Sequence, residues 1–307
     1  MKVSMIIPCY KSEMTIDRVT KKIIKVFEDN GYEYEMILVN DCSPDHTWDS
    51  ICGLCEKIEH IIGIDLAKNV GQHTAIMAGL RMSTGDIIMS SDDDGQTPIE
   101  NIPLLIDKLI KNDYDVVCAK YTSFERKSLG RRLGTLFYKL VLKIMLDQPK
   151  GVEIRVFMAA RRFIIDEICQ YDQPYTSLNG LILRATHNIG NVEMEQHARD
   201  AGISGYSFRK LVRAWMNGFT AFSIVPLRIA SLLGGGIATS GFIGAIIIVV
   251  RKLSHPTIQV GWSSLLTVIL IMSGLILLVL GIIGEYVGRM YMCINHTPQY
   301  IIKNIKR

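Results

Sequence analysis

Several features that would point to a ready answer are missing from this 307-residue chain. It has no G-x-x-x-x-G-K-[ST] phosphate loop and no G-x-G-x-x-G after its first apolar run, so ATP hydrolysis and nicotinamide chemistry both lose support. Charge of one sign is scarce: 34 Lys and Arg against 30 Asp and Glu leave a net charge of +4. With no aromatic-interleaved basic stripe and no zinc-finger spacing, that balance argues against nucleic acid as a partner. The seven cysteines, at 9, 42, 52, 55, 118, 169 and 293, are odd in number and lack the rhythm of a secreted scaffold. A reducing, cytosolic setting fits them. Cys52 and Cys55 have redox spacing, but they lie in an amphipathic run with no second ligand pair and read as structural thiols. The opening "MKVSMIIPCY" has one lysine and a short apolar run reaching Pro8, which is not the pattern of a signal peptide.

Apolar residues, in contrast, are abundant. They make up 49% of the chain, the mean hydropathy is +0.23, and the excess concentrates after about residue 218. Residues 229–250 contain no charge and are bracketed by Arg228 and Arg251; residues 263–284 are likewise uncharged and precede Glu285. Each run is about 22 residues, or about 33 Å as a helix, enough to span a hydrocarbon core of about 30 Å. The short linker between them predicts a hairpin. Arg209, Lys210, Arg213 and Arg228 before it, with Arg289, Lys303, Lys306 and Arg307 after it, outvote Arg251 and Lys252 in the loop. The positive-inside rule then puts both chain ends in the cytoplasm. Two basic amphipathic segments, 120–148 and 207–219, read as helices; Trp215 among Arg209, Lys210 and Arg213 suits a membrane interface.

The first half alternates apolar strands with helix-period segments. Strands are expected at 3–7, 36–40, 61–66, 86–90 and 115–119, and helices at 15–28, 47–58, 72–82 and 99–112. Such alternation predicts an α/β fold with a mostly parallel sheet covered on both faces. Ligands bind outside the carboxyl ends of such strands. Three polar clusters fall there: "PCYKSE", "NDCSPDHT" and "SDDDGQTP". They are expected to converge on one crevice. Asp92, Asp93 and Asp94 at the end of a strand would suit a hard cation, Mg²⁺ or Mn²⁺, completed by substrate phosphates. An EF-hand is excluded, because counting from Asp92 puts Thr97 at the glycine position and Pro103 at the glutamate position. In extended chain, side chains two apart share a face, so Asp92 and Asp94 would point into the crevice together, with Gln96 continuing the alternation. Asp93 would turn away and tolerate substitution.

The segments "IIPCYKSEMTI", "ILVNDCSPDHTWD", "LAKNVGQHTAIMAGL" and "DDDGQTPIENI" occur in the order and spacing of glycosyltransferase family 2. The chain resembles the branch containing dolichol-phosphate mannose synthase and the bacterial polyprenyl-phosphate glycosyltransferases, whose D-x-D-x-Q-x-P corresponds to Asp92, Asp94, Gln96 and Pro98. "HARDAGISGYSF" looks like that branch's R-x-x-G-x-S-x-Y stretch. The resemblance implies a GT-A-like catalytic domain at 1–206, an interfacial helix at 207–222, transmembrane helices at 228–251 and 263–285, and a basic cytoplasmic tail at 286–307. It also implies roles. Pro8, Tyr10 and Glu13 would lie beside the donor base and ribose, and Asp41 would bond the base, uracil in a UDP-sugar. Lys68, Asn69 and Gly71 would lie near the nucleotide and sugar. Asp94 and Gln96 would bind the metal, with Asp92 on the metal or the ribose. Arg199, Ser204 and Tyr206 would face the acceptor phosphate.

The sequence departs from the family pattern in two places. Paired aspartates after the second strand are "ND" here, leaving Asp41 alone. The family's acid–arginine pattern matches Glu153 and Arg155 in one alignment and is lost if Arg161–Arg162 is the anchor. His73 and His197 sit in motif context, although a lone histidine is usually structural. The expected function is inverting, metal-dependent transfer of one sugar from a nucleotide diphosphate sugar to a polyprenyl phosphate such as undecaprenyl phosphate, at the cytoplasmic face of the lipid bilayer. The resemblance allows a homo-oligomer. A processive polysaccharide synthase is disfavoured by the absence of Q-x-x-R-W and by only two spans; an inactive, membrane-anchored nucleotide-sugar-binding protein is the remaining alternative.

Overall fold

The computed structural model describes residues 1–122, 148–149, 151–174, 176–197, 261–295 and 297–307, together with scattered positions between 230 and 250. They belong to two units: Met1–Ser207 with His296–Arg307, and Phe208–Asn295.

The first unit is built on strands β1 (Lys2–Cys9), β2 (Glu33–Asn40), β3 (Ile61–Leu66), β4 (Ile87–Ser90), β5 (Val116–Tyr121), β6 (Met158–Arg161), β7 (Ile189–Met194) and β8 (Ile302–Lys306). They form one sheet in the order β7-β5-β6-β4-β1-β2-β3-β8. Helices α1 (Ile16–Asp29), α2 (Thr47–Cys55), α3 (Gln72–Met82) and α4 (Ile102–Lys111) connect the first strands; α5 (Arg162–Cys169) and α6 (Leu178–Ala185) follow β6. The parallel expectation holds for β4, β1, β2 and β3. It fails at β6, which lies antiparallel between β4 and β5, and at β8, antiparallel to β3. The sheet is therefore mixed. "MAAR" carries too little β-branched or aromatic character to declare a strand; its two neighbours in the sheet make it one.

Alternate side chains of the central strands go to opposite faces, and both are buried. Val3, Met5 and Ile7 join Val19, Ile23 and Phe27 of α1 in one core. On the other face α3 comes so close that a Cβ on Gly79 would lie 2.5 Å from Ile6 Cγ2 and 3.2 Å from Val39 Cγ2.

Pro8 does not end β1, as its sequence position suggests; it pairs with Val39. Ser91 N donates to Ile6 O, whereas Asp41 N donates to Cys9 O, so Pro8 faces the side on which β4 has already stopped at Ser90. No ladder bond is lost there.

At the opposite end of the sheet Glu35 is buried and ion-pairs with Lys2 at 2.7 Å. It also accepts from Ser4 Oγ, Thr84 N and Thr84 Oγ1. Burial alone would raise its pKa, but these bonds outweigh it and hold the carboxyl at about 2, below the ordinary 4.5. A depressed folded-state pKa stabilises above the unfolded value and is lost as pH falls. The advantage of wild type over Glu35→Gln should be on the order of 3 kcal/mol at pH 7 and should vanish between about pH 4.5 and 2. Denaturant midpoints of both proteins across that window check it; a gap independent of pH refutes it.

In the second unit the described positions between 230 and 250 that lie in the first uncharged run are helical. Helix α7 runs from Trp262 to Ile294, past the expected end at 285. Glu285 and Arg289 do not stop it, because they pair with one another at 2.7 Å one turn apart. Among the described residues α7 alone contains a stretch, Met272–Ile294, long and apolar enough to cross a membrane. The end of the expected basic tail is part of the sheet: Asn304 pairs with Asp65 and Ile305 with Ile64.

Candidate active site

The loops after β1, β2, β3 and β4 are tied to one another by side chain to backbone bonds. Asp41, 3% exposed, accepts from Val70 N at 2.7 Å and Gly71 N at 2.9 Å, while its carbonyl accepts from Asn69 Nδ2. Burial raises its pKa, and the two backbone donors oppose the rise. Gly71 has φ +87, left-handed backbone that favours glycine, and it starts α3. The expected donor-pocket residues Asp41, Asn69 and Gly71 are thus brought together, with exposed Lys68 beside them in the same loop.

Glu13, expected beside the donor base and ribose, bonds the neighbouring loop. Its Oε2 accepts from His46 N at 2.9 Å, at the start of α2. The exposed ring of Tyr10 has the Lys11 ammonium over it at 5.8 Å. Lys11 N donates to Ser43 Oγ, Ser12 N donates to Thr47 Oγ1, and the β1 and β2 loops become one surface.

The three aspartates each have a separate partner. Asp92 Oδ1 accepts from Gln72 Nε2 at 2.6 Å, at the start of α3. Asp93 Oδ2 accepts from Tyr10 N at 3.1 Å and from Ser12 Oγ. Asp94 Oδ1 accepts from Gln96 N at 3.0 Å within its own turn, where Gly95 has φ +74. That turn breaks the extended alternation expected through Gln96. It also corrects the reading of Asp93 as idle, for this carboxylate joins the β4 and β1 loops. Burial and the neighbouring Asp94 charge push the Asp92 carboxyl up to about 6, despite the Gln72 bond.

Arg155 lies on the same side of the sheet. Its guanidinium is 5.6 Å from the Tyr121 ring centroid, 3.4 Å from Glu153 Oε2, and close enough to Asp92 to lower that carboxyl. Burial, followed by the charge of Asp92, pushes the Tyr121 phenol up to about 12; it also bonds Thr97 and is lowered by Arg155. Asn191 fixes the backbone of Glu153, accepting from its N–H at 2.8 Å and donating to its carbonyl at 2.6 Å. Arg161 and Arg162 are elsewhere, held by Asp113, Tyr114 and Gly85 at the other end of the strands. Tyr121, Gln72 and Asn191 escaped the sequence reading. Only Tyr121 left a signal, as an aromatic two residues beyond an expected strand.

His197 bonds Glu100 Oε1 at 2.8 Å, and burial lowers the His73 pKa. Cys52 and Cys55 are free thiols, the latter pushed up to about 11 by burial. Arg199, Ser204 and Tyr206, with residues 123–147 and 207–222, lie outside the described residues.

The oxygen donors at the end of β4 fit a hard cation. Among the described residues no three His, Cys, Asp or Glu side chains gather to hold an ion by themselves. That suits an ion which keeps waters and takes substrate phosphates as ligands. Burial first, and then the charges of Asp94 and Asp93, raise the Asp92 carboxyl, and a bound cation would offset both.

The profile of glycosyl transferase family 2 matches residues 4–169. An undecaprenyl-phosphate 4-deoxy-4-formamido-L-arabinose transferase of Photorhabdus laumondii is 32% identical over 99% of this chain and 94% of its own length. A bactoprenol glucosyl transferase of Shigella phage SfV is 32% identical over the whole of both chains. Among solved structures, the glucosyl-3-phosphoglycerate synthase of Mycobacterium tuberculosis, with Mn²⁺, UDP-glucose and phosphoglyceric acid, superposes with a TM-score of 0.51 at 17% identity. That match covers 76% of this chain and 79% of the other, and it establishes a GT-A-like fold. A family profile over more than half the chain, and relatives matched nearly end to end, agree with the convergent strand-end loops: the chain belongs to glycosyltransferase family 2 and is a glycosyltransferase.

Proposed function

We propose that the protein transfers one sugar, with inversion, from a nucleotide diphosphate sugar, in our reading a UDP-sugar, to a polyprenyl phosphate. The observation that supports this best is the joining of the loops after β1, β2, β3 and β4, where Asp41 accepts from Val70 N and Gly71 N, Asp92 from Gln72 and Asp93 from Tyr10 N. Asp92, Asp94 and Gln96 would hold Mg²⁺ or Mn²⁺, which supplies positive charge to the diphosphate. The loops of 10–13, 41–45 and 68–71 would hold the nucleoside. Arg155, positioned by Tyr121, adds a fixed positive charge beside Asp92.

The two relatives named above act on undecaprenyl phosphate and bactoprenol, and this supports a polyprenyl phosphate acceptor. A phosphate monoester has a second pKa of about 6, so this nucleophile is largely a dianion at neutral pH. It needs positioning and screening more than a base. Attack on the anomeric carbon from the face opposite the diphosphate forms the new C–O bond as the old one breaks, which inverts the centre. Arg199, Ser204 and Tyr206 would receive the acceptor phosphate.

The membrane reading is supported by chain connectivity. The segment Phe208–Asn295 leaves the first unit and returns to it as β8. A segment whose two ends enter one sheet crosses a bilayer an even number of times. Pairing a crossing in α7 with one at 229–250 satisfies this with both termini on one side, and the excess of Lys and Arg flanking the pair favours the cytoplasm for that side.

Radiolabelled UDP-sugars, polyprenyl phosphate, membranes and Mg²⁺ or Mn²⁺ test the function together. A lipid-extractable product carrying one sugar is expected. Polymer would indicate a processive synthase, and donor binding without product an inactive binding protein; either refutes the proposal.

A further inference from the structure

We infer that the C-terminal strand is a working part of the donor pocket, with Asp65 as the positioning residue that connects them. This rests on the nucleotide-sugar reading of the site. Three residues in register cross three strands: Asn40 of β2, Asp65 of β3 and Asn304 of β8. Asp65 is 4% exposed. Its Oδ1 accepts from Asn40 Nδ2 at 2.8 Å, and its Oδ2 accepts from Asn304 Nδ2 at 3.3 Å with Lys303 Nζ at 3.6 Å. Buried charge requires such partners, and two of the three are on β8.

The other end of this row is the donor side. Asn40 Oδ1 accepts from Ser43 N, and the next residue is Asp41, which organises Val70 and Gly71. The residue just before β8 also holds the second of these loops directly, since Ala67 N donates to Ile301 O at 2.9 Å, one residue before Lys68. Two of the three loops assigned to the nucleoside, 41–45 and 68–71, are therefore fixed from the edge strand that follows α7. The row explains the asparagine at 40. An aspartate there would set two buried carboxylates against each other, whereas an amide gives one N–H to Asp65 and one oxygen to Ser43.

The test uses full-length protein in lipid nanodiscs, comparing wild type with Lys303→Ala/Asn304→Ala, substitutions that leave every proposed donor contact intact. The variant should raise the donor KM and the Kd of UDP together by about fivefold to twentyfold, the effect of losing a charge-assisted hydrogen-bond partner. Turnover at saturating donor and the acceptor KM should stay within about twofold. If the double variant does not fold, Lys303→Ala, at an exposed position, should move the same two constants by about threefold. Unchanged UDP affinity in folded variant, or a fall in turnover at constant UDP affinity, overturns the inference. Asp41→Asn serves as the separate control. If it binds UDP as tightly as wild type, the nucleotide reading itself fails; if it loses UDP while the tail variant does not, the role of β8 alone fails.

Discussion

Asp94→Asn should lower turnover by about 10³-fold or more, whereas Glu153→Gln should stay within about tenfold of wild type. The first substitution removes a charge at the point where the donor's diphosphate must be neutralised as the glycosidic bond breaks. Asn keeps the size and one oxygen, so the Asp94 turn can still accept from Gln96 N. Folding should survive and chemistry should not. Glu153 is placed by its backbone, through Asn191, and its side chain is paired with Arg155 at 3.4 Å. As a partner of Arg155 it tunes a charge, and a phosphate dianion does not require it as a base. Initial rates at saturating donor, with thermal melts to verify folding, measure both. Complete and equal loss from the two would sink the argument and make Glu153 the base.

Asp93→Ala should reduce donor kcat/KM by about tenfold to a hundredfold, and Asp93→Asn by much less. The alanine leaves Tyr10 N without its carboxylate acceptor and removes the Ser12 hydroxyl's partner. Two donors at the root of the β1–α1 loop then compete for water, and that loop also carries Ser43 and Thr47 contacts into the β2 loop. The asparagine keeps an acceptor oxygen. Steady-state kinetics on both variants decides the matter, and wild-type behaviour of the alanine variant would show that the tie between β1 and β4 is dispensable.

Asp93 also marks the limit of reading the site from the chain. Alternation along an extended strand would set Asp93 apart from its neighbours, but extended geometry stops at Ser90, and Gly95 with φ +74 turns the chain. Beyond that point the direction of a side chain depends on which loop lies opposite. No local pattern contains that information. Similarly, no local pattern announces that the Glu13 carboxylate accepts from His46 N at the start of α2.

What the sequence determined by itself was whatever a short window of physical chemistry controls. Periodicity placed β3 and α3 at their observed bounds and the other early elements within a few residues. Four motifs in order and spacing identified the family, and apolar length exposed the two uncharged runs. Tertiary structure alone decided two things. It inserted β6 between β4 and β5, because a four-residue "MAAR" becomes a strand only with partners on both sides. And it took "IKNIK", a basic tail in sequence, and set it against β3, where Asn304 and Lys303 meet a buried carboxylate 238 or more residues earlier in the chain. Each depends on pairing across long sequence separation, where a chain segment's conformation is fixed by its partner rather than by its own residues.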